Sequence, residues 1–396
     1  METSRRVAGL AAALLASAIS FAFAAQAETL TTEAGPVEVQ SLAKIDSPWG
    51  MAFMPDGGLL ITQKAGQLRI FKGGKLSEPL IGVPKVAFAG QGGLLDVEID
   101  PKFAANRLVY LSYAEAADPQ PAGAKDEGDV RFGQFNNTSD IVVKGSAVAR
   151  GRLEADGLHD VKVIWRQEPK TVGRGHFGGR LAFAPDGTLF ITAGERQRFE
   201  PAQDPHVELG KVLRINSDGS IPKDNPFADG KAARPEVWSM GHRNPLGAAI
   251  NPWSHQLWET EMGPKGGDEL NAIVKGHNYG WPIVSEGVHY SDAPIPKHAS
   301  HPEFTAPVMA WVPSISPSGL AFYTGGMFPK WKGSAFLGAL GGQALVRVSL
   351  NGDKATGYER IATGKRIRDV IQAPDGALLL LVDGEGGELL RLTPGK

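Results

Sequence analysis

Cysteine is absent from this 396-residue chain. That absence removes disulfides, thiol nucleophiles, zinc–thiolate sites and iron–sulfur clusters together. A surplus of charge is missing too, since 41 Lys and Arg face 43 Asp and Glu with no long run of either sign. The chain therefore carries no electrostatic footprint for nucleic acid or an anionic membrane, and nucleic acid is not expected as a partner. Long apolar runs are missing except for one, from Val7 to about Ala24. Arg5-Arg6 precede that run and Ala25-Gln26-Ala27 follow it. A basic start, an apolar stretch and an A-x-A site describe a secretory signal peptide, here residues 1–27. A membrane anchor is the competing reading, but the run is borderline in length for one. The mature chain, residues 28–396, is expected as one exported, periplasmic or secreted domain without a membrane span.

What is abundant is glycine and proline, 50 and 28 residues. Both exceed ordinary usage of about 7% and 5%, which argues for many turns and against bundles or solenoids of helices. Hydrophobic residues make up 42% of the chain, enough for a large core, so global disorder is excluded. Six short stretches repeat a pattern of proline, often Asp-Gly, then an apolar run. Phe53–Thr62, Phe183–Thr192 and Ala373–Leu381 are the clearest; Ile99–Leu111, Ile250–Trp258 and Ile315–Phe322 are looser. Their prolines, at 55, 101, 185, 252, 317 and 374, recur on average about every 64 residues, which suits one four-stranded sheet with its loops. The expected fold is all-β, a six-bladed β-propeller of four-stranded antiparallel blades. Closure is expected to pair an early strand near Val37–Leu42 with Glu388–Thr393, because only closure removes exposed sheet edges. Ala114–Asp140 is expected as a long surface loop over the mouth of the ring, and His298 and His301 as solvated loop residues.

Four segments hold more polar residues than turns require. Gly90–Asp96 offers the two-faced amide of Gln91 among glycines that allow close backbone approach. Gly173–Arg180 places His176 between glycines at a strand entrance, sterically open as a general base must be. Glu195 follows just beyond that strand, within reach of orienting an imidazole. Trp238–Pro245 sets the fork of Arg243 beside the amide of Asn244, suited to a carbonyl or carboxylate oxygen. It continues to Glu261–Asn271 and Lys275–Pro282, where carboxylates mixed with Gly and Pro carbonyls are hard-oxygen ligands suited to calcium, although charged turns without a metal read the same way. Lys365–Asp369 puts Arg366 and Arg368 on one face of a strand, which calls for an anion or else a solvated edge.

Taken together, the runs GHRNP, EMGPKGGDELN and KGHNYGWP resemble the soluble, PQQ-dependent aldose sugar dehydrogenases, the family that includes soluble glucose dehydrogenase. The resemblance runs from about Pro48 to Leu392 and independently implies a six-bladed propeller. It implies a quinoprotein that oxidises aldoses at the anomeric carbon to lactones, with PQQ and calcium as cofactors and an external electron acceptor as partner. His176 would then be the general base, Glu195 its acidic partner, and Arg243 the residue that stabilises charge on the reacting quinone oxygen. Asn244 and Gln91 would be further PQQ contacts, and Arg366 and Arg368 would bind its carboxylates. Gly263 and Pro264 match backbone carbonyls that hold the calcium at PQQ, and Glu269 and Tyr279 match a second, structural calcium site. One departure stands out: the family lysine expected after Gly338-Ala339-Leu340 is replaced by Gly341-Gly342-Gln343. A non-catalytic propeller that binds a sugar or protein partner, and a calcium-dependent lactonase on the same fold, are the alternatives.

Overall fold

The computed structural model describes residues 28–124 and 140–395. The expected signal peptide and most of the loop expected over Ala114–Asp140 lie outside the described residues. Ala114–Ala116, expected in that loop, instead end the strand Leu108–Ala116. No described helix is long and apolar enough to cross a membrane.

Six antiparallel sheets follow one another along the chain. Blade 1 starts with strand Pro48–Phe53, blade 2 with Leu94–Ile99, blade 3 with Gly178–Phe183, blade 4 with Pro245–Ile250, blade 5 with Pro317–Phe322 and blade 6 with Ile367–Gln372. These first strands lie side by side around an axis, each against the next, and the sixth returns to the first. The expected six-bladed propeller is the fold found. Blade 6 carries an extra edge, because Gly35–Lys44 pairs with Glu388–Pro394 and Glu28–Thr32 pairs with Gly35–Lys44, giving five strands where the other blades have four. The closing register pairs Glu38 with Thr393 and Gln40 with Arg391, as the sequence leads one to expect.

Burial falls from the axis outward. The second strands Leu59–Gln63 and Leu378–Val382 are mainly apolar and buried on both faces, because neighbouring blades cover each side. The outer strand Lys354–Ala362 is mostly exposed. The core is therefore a set of layers between blades, such as Leu60 and Leu68 of blade 1 against Leu94 and Leu111 of blade 2. Each fully buried Leu contributes about 1.5–3 kcal/mol.

The proline repeats mark the first hairpin of five blades. In three, the turn is the same: the amides of Gly57, Gly187 and Gly376 donate to the carbonyls of Met54, Ala184 and Ala373 at 3.0, 2.9 and 2.8 Å. Their φ values of +81°, +83° and +91° explain the glycine after Pro-Asp. Pro317 differs, because it opens the first strand of blade 5 rather than its hairpin. That hairpin runs through Pro329–Trp331, where Phe328 and Trp331 stack at 4.0 Å.

A second device is repeated between blades. On the second strands, the hydroxyls of Thr62, Ser112, Thr192 and Thr260 donate to the carbonyls of Leu95, Gly179, Pro245 and Ser318 on the next blade's first strand. Blade 5 has Gly338 at this place, where a Cβ would meet Ser318 Oγ and Ile367 O at 2.6 Å, and Ser318 makes the bond to Ile367 instead. Thr260→Val keeps the shape but strands a buried carbonyl, so it is expected to cost about 1–3 kcal/mol in denaturant unfolding. A cost below a few tenths would show these latches to be incidental.

Candidate active site

His176 sits in the loop entering blade 3 at φ +49°, an uncommon conformation for a side-chain-bearing residue. Arg196, which carries no motif in the sequence, holds that loop. Its guanidinium donates to the carbonyls of Gly175, Lys144 and Gly173 at 2.8, 2.7 and 2.7 Å and lies 3.8 Å from the Phe177 ring centre. The result is a buried imidazole, 4% exposed, rather than the open one expected from its glycine neighbours.

His176 Nδ1 is 2.6 Å from Glu195 Oε1, and Glu195 is fully buried. A carboxylate only accepts, so Nδ1 carries the proton and Nε2 keeps its lone pair. Nε2 makes no hydrogen bond to any described residue. Burial, followed by the nearby Arg243 charge, pushes His176 below the ordinary histidine value, so the ring is neutral near pH 7. Burial opposes ionisation of Glu195, but His176, Arg243 and the Arg198 amide outweigh it and hold the carboxyl below its usual range. Its Oε2 also accepts from the amides of Arg198 and Phe199.

Gln91 joins the segments. Its Oε1 accepts the His176 amide at 2.9 Å and Asn244 Nδ2 at 3.4 Å, while Asn244 Oδ1 accepts the Gly178 amide at 3.3 Å. Arg243 is buried; its amide donates to Glu261 at 2.6 Å, and Nη1 donates to the carbonyls of Met262 and Gly263 at 3.0 and 2.7 Å. Its Nε is buried without a hydrogen-bond partner among the described residues.

Beside this group a cavity of about 230 Å³ opens, lined by Trp49, Gln91, Leu246, Met262, Arg366 and Arg368 among others. The paired arginines are thus brought next to the His176 network. They already share one anion: Arg366 reaches Asp383 Oδ2 at 3.1 Å and Arg368 reaches Oδ1 at 2.8 Å. Asp383 fixes both forks in direction, a role the sequence hides because Asp383 stands 15 residues past Arg368 in an ordinary turn. The lining suits an anion with an apolar face, with cations and an amide on the wall and an indole, Leu and Met completing it.

Arg243, Gly263, Glu261, Glu269 and Tyr279 line a second, small cavity of about 10 Å³, room for one water or one ion. Two carboxylates and a carbonyl there suit a hard cation. Burial, then Glu261, pushes Glu269 well above the carboxylate range, the direction a bound cation reverses. Gly263, Glu269 and Tyr279 therefore meet at one place, whereas Pro264 is not in the lining. The Tyr279 hydroxyl is engaged elsewhere, donating to Ala272 O at 2.6 Å and accepting the Val274 amide at 2.9 Å, and its carbonyl is the other oxygen it could offer a cation. That carbonyl accepts His298 Nε2–H at 3.1 Å. His298 is buried beside Glu286, which corrects the expectation that it is solvated, since its ring closes a loop over Tyr279. His301 is half-buried.

Comparison with known proteins places these features. Residues 45–391 match the family model described as Glucose / Sorbosone dehydrogenase. Aldose sugar dehydrogenase YliI of Escherichia coli (strain K12) is 45% identical over 361 residues, covering 89% of this chain and 91% of that protein. The apo crystal structure of the soluble aldose sugar dehydrogenase from Escherichia coli has a TM-score of 0.81 at 43% identity, covering 91% of this chain and all of that one. The PQQ-bound aldose sugar dehydrogenase from Streptomyces coelicolor has a TM-score of 0.71 at 28% identity, covering 90% and 98%. With nearly its whole length matched by the family model, the chain belongs to the glucose/sorbosone dehydrogenase family and is an oxidoreductase.

Proposed function

We propose that this protein is an exported, PQQ- and calcium-dependent aldose sugar dehydrogenase that converts the anomeric carbon of an aldose to a lactone. The observation that carries the reading is His176, whose Nδ1 is tied to Glu195 and whose Nε2 bonds no described residue, linked through Gln91 to a cavity walled by Arg366 and Arg368. A non-catalytic propeller has no use for a buried histidine–carboxylate pair beside a cationic cavity, because such pairs are costly to bury. The relatives' names and the PQQ-bound neighbour support the same cofactor and substrate class.

His176 Nε2 takes the proton of the anomeric hydroxyl. Glu195 keeps the ring in the tautomer that makes this possible and stabilises the imidazolium that forms. PQQ, when bound, would supply the two-electron acceptor that this oxidation needs, with an external acceptor as the final sink. Arg366 and Arg368 would hold its carboxylates, Asn244 and Gln91 would contact its polar atoms, and Arg243 would supply positive charge to the reacting oxygen. Gly263, Glu269 and Tyr279, with Pro264 adjacent, would hold calcium.

Apoprotein given PQQ and calcium together is expected to reduce a dye acceptor in the presence of aldoses, and neither addition alone suffices. Sugar-dependent dye reduction by a demonstrably quinone-free preparation would overturn the reading. The acid limb of kcat is expected below pH 6.5, because burial and Arg243 depress the His176 value and the base works only when neutral. Turnover measured from pH 4.5 to 8.5 checks this; a limb centred above pH 7 contradicts it.

A further inference from the structure

We propose that Lys64 is a third cation for the carboxylates of the bound quinone, replacing the family lysine missing after Leu340. The inference rests on the reading that PQQ occupies the 230 Å³ cavity. Lys64 lines that same cavity with Arg366 and Arg368. Among the described residues its ammonium makes one hydrogen bond, to Gly90 O at 2.7 Å, and it stands 5.9 Å from the Phe88 ring centre. It makes no ion pair among the described residues. An ammonium has three donors, so two remain for a ligand.

The charges in the cavity point the same way. Among the described residues, Arg366, Arg368 and Lys64 have one carboxylate near them, that of Asp383, so positive charge is left over after this pairing. Burial, then the Arg368 charge, depresses Lys64, with Arg366 adding to this and Asp383 opposing it. An anion carrying several carboxylates relieves that mutual repulsion; a neutral sugar does not.

The delivery is rigid. Lys64 follows strand Leu59–Gln63, its amide donates to Ser47 O at 3.0 Å, and its carbonyl accepts the Leu94 amide at 2.9 Å. The segment that should have held the family lysine supplies no cation. Gly341 and Gly342 have no side chain, and Gln343 is uncharged, exposed and outside the lining of the cavity. The cation has therefore moved from the blade 5 side of the mouth to blade 1.

The test is a titration of the calcium-loaded apoprotein with PQQ, followed by calorimetry, for wild type, Lys64→Gln and Lys64→Arg. Glutamine keeps a donor for Gly90 O, so the Gly90–Gln91 loop stays held while the charge is lost. The Lys64→Gln variant is expected to bind PQQ about 10- to 100-fold more weakly, the usual effect of losing one charge-assisted bond. Lys64→Arg is expected within about threefold of wild type, and the dependence of Kd on salt is expected to be shallower in Lys64→Gln. The trimethyl ester of PQQ, which lacks the carboxylate charges, should bind wild type and Lys64→Gln alike. Equal PQQ affinity in wild type and Lys64→Gln overturns the role of Lys64 and leaves the cofactor reading intact. Equal weakening of PQQ and its ester also overturns it, assigning Lys64 to loop structure. Failure of the wild type to bind PQQ overturns the cofactor reading itself.

Discussion

His176→Asn is expected to lower kcat by about 10²–10⁴, the usual contribution of a positioned general base, while leaving the ring folded and PQQ bound. Asparagine suits the test for two structural reasons. It tolerates the positive φ that His176 adopts better than most residues do. Its amide nitrogen also falls near the place of Nδ1, so it can donate to Glu195 Oε1 and leave no buried carboxylate unpaired. What disappears is Nε2, the atom assigned to the proton. Melting temperature and PQQ titration separate chemistry from folding and binding: both should stay near wild type while turnover falls. Near-normal turnover at saturating quinone and sugar would remove His176 from the mechanism.

Much of this site is legible in the sequence because glycines and prolines concentrate there. His176, Gln91 and the Arg243–Asn244 pair stand among residues whose only steric purpose is close approach, and the fold brings them within hydrogen-bond reach. The closing strands are legible for a different reason, since a ring of sheets leaves one edge at each end of the chain and those edges must meet. Other features are silent. Arg196, Asp383 and Lys64 are single charged residues in ordinary turns, and nothing local says that Arg196 clamps three carbonyls or that Asp383 bridges two arginines. His298 misleads because a Pro-rich loop usually lies in water, whereas this one folds back and buries its imidazole against the Tyr279 carbonyl. Pro317 misleads because proline suits the first residue of a strand as well as a turn.

The largest effect on stability is expected at the axis, from Arg180→Leu. Arg180 is 4% exposed, and its Nη1 and Nη2 pair with Asp96 and Asp369 at 3.0 and 3.1 Å. It also donates to Leu246 O at 2.7 Å and Arg368 O at 3.1 Å, and its guanidinium lies 4.2 Å from the Trp49 ring centre. One side chain thus ties blades 1, 2, 3, 4 and 6 together. Blade 5 yields space for it indirectly: a Cβ at Gly319 would meet Asp369 Oδ1 at 1.9 Å, just as one at Gly50 would meet Asp96 Oδ1 at 2.3 Å. Removing the guanidinium leaves two buried carboxylates without a cation, a loss of about 3–5 kcal/mol. Denaturant unfolding at pH 7 measures it, and a variant as stable as wild type would show the triad to be dispensable. The pH dependence has a definite sign. Burial raises Asp96 and pushes Asp369 up to about 6, even with Arg180 opposing it. A carboxyl raised on folding binds its proton more tightly in the native state, so its contribution is complete below the unfolded value near 4 and is lost as pH rises through the folded value. Without Arg180 both groups rise further, so the deficit of Arg180→Leu is expected to be smaller at pH 4.5 than at pH 8. Adding Asp96→Asn and Asp369→Asn removes the titrating groups and is expected to recover much of the loss and flatten that dependence, which distinguishes stranded charge from a mere void at the axis.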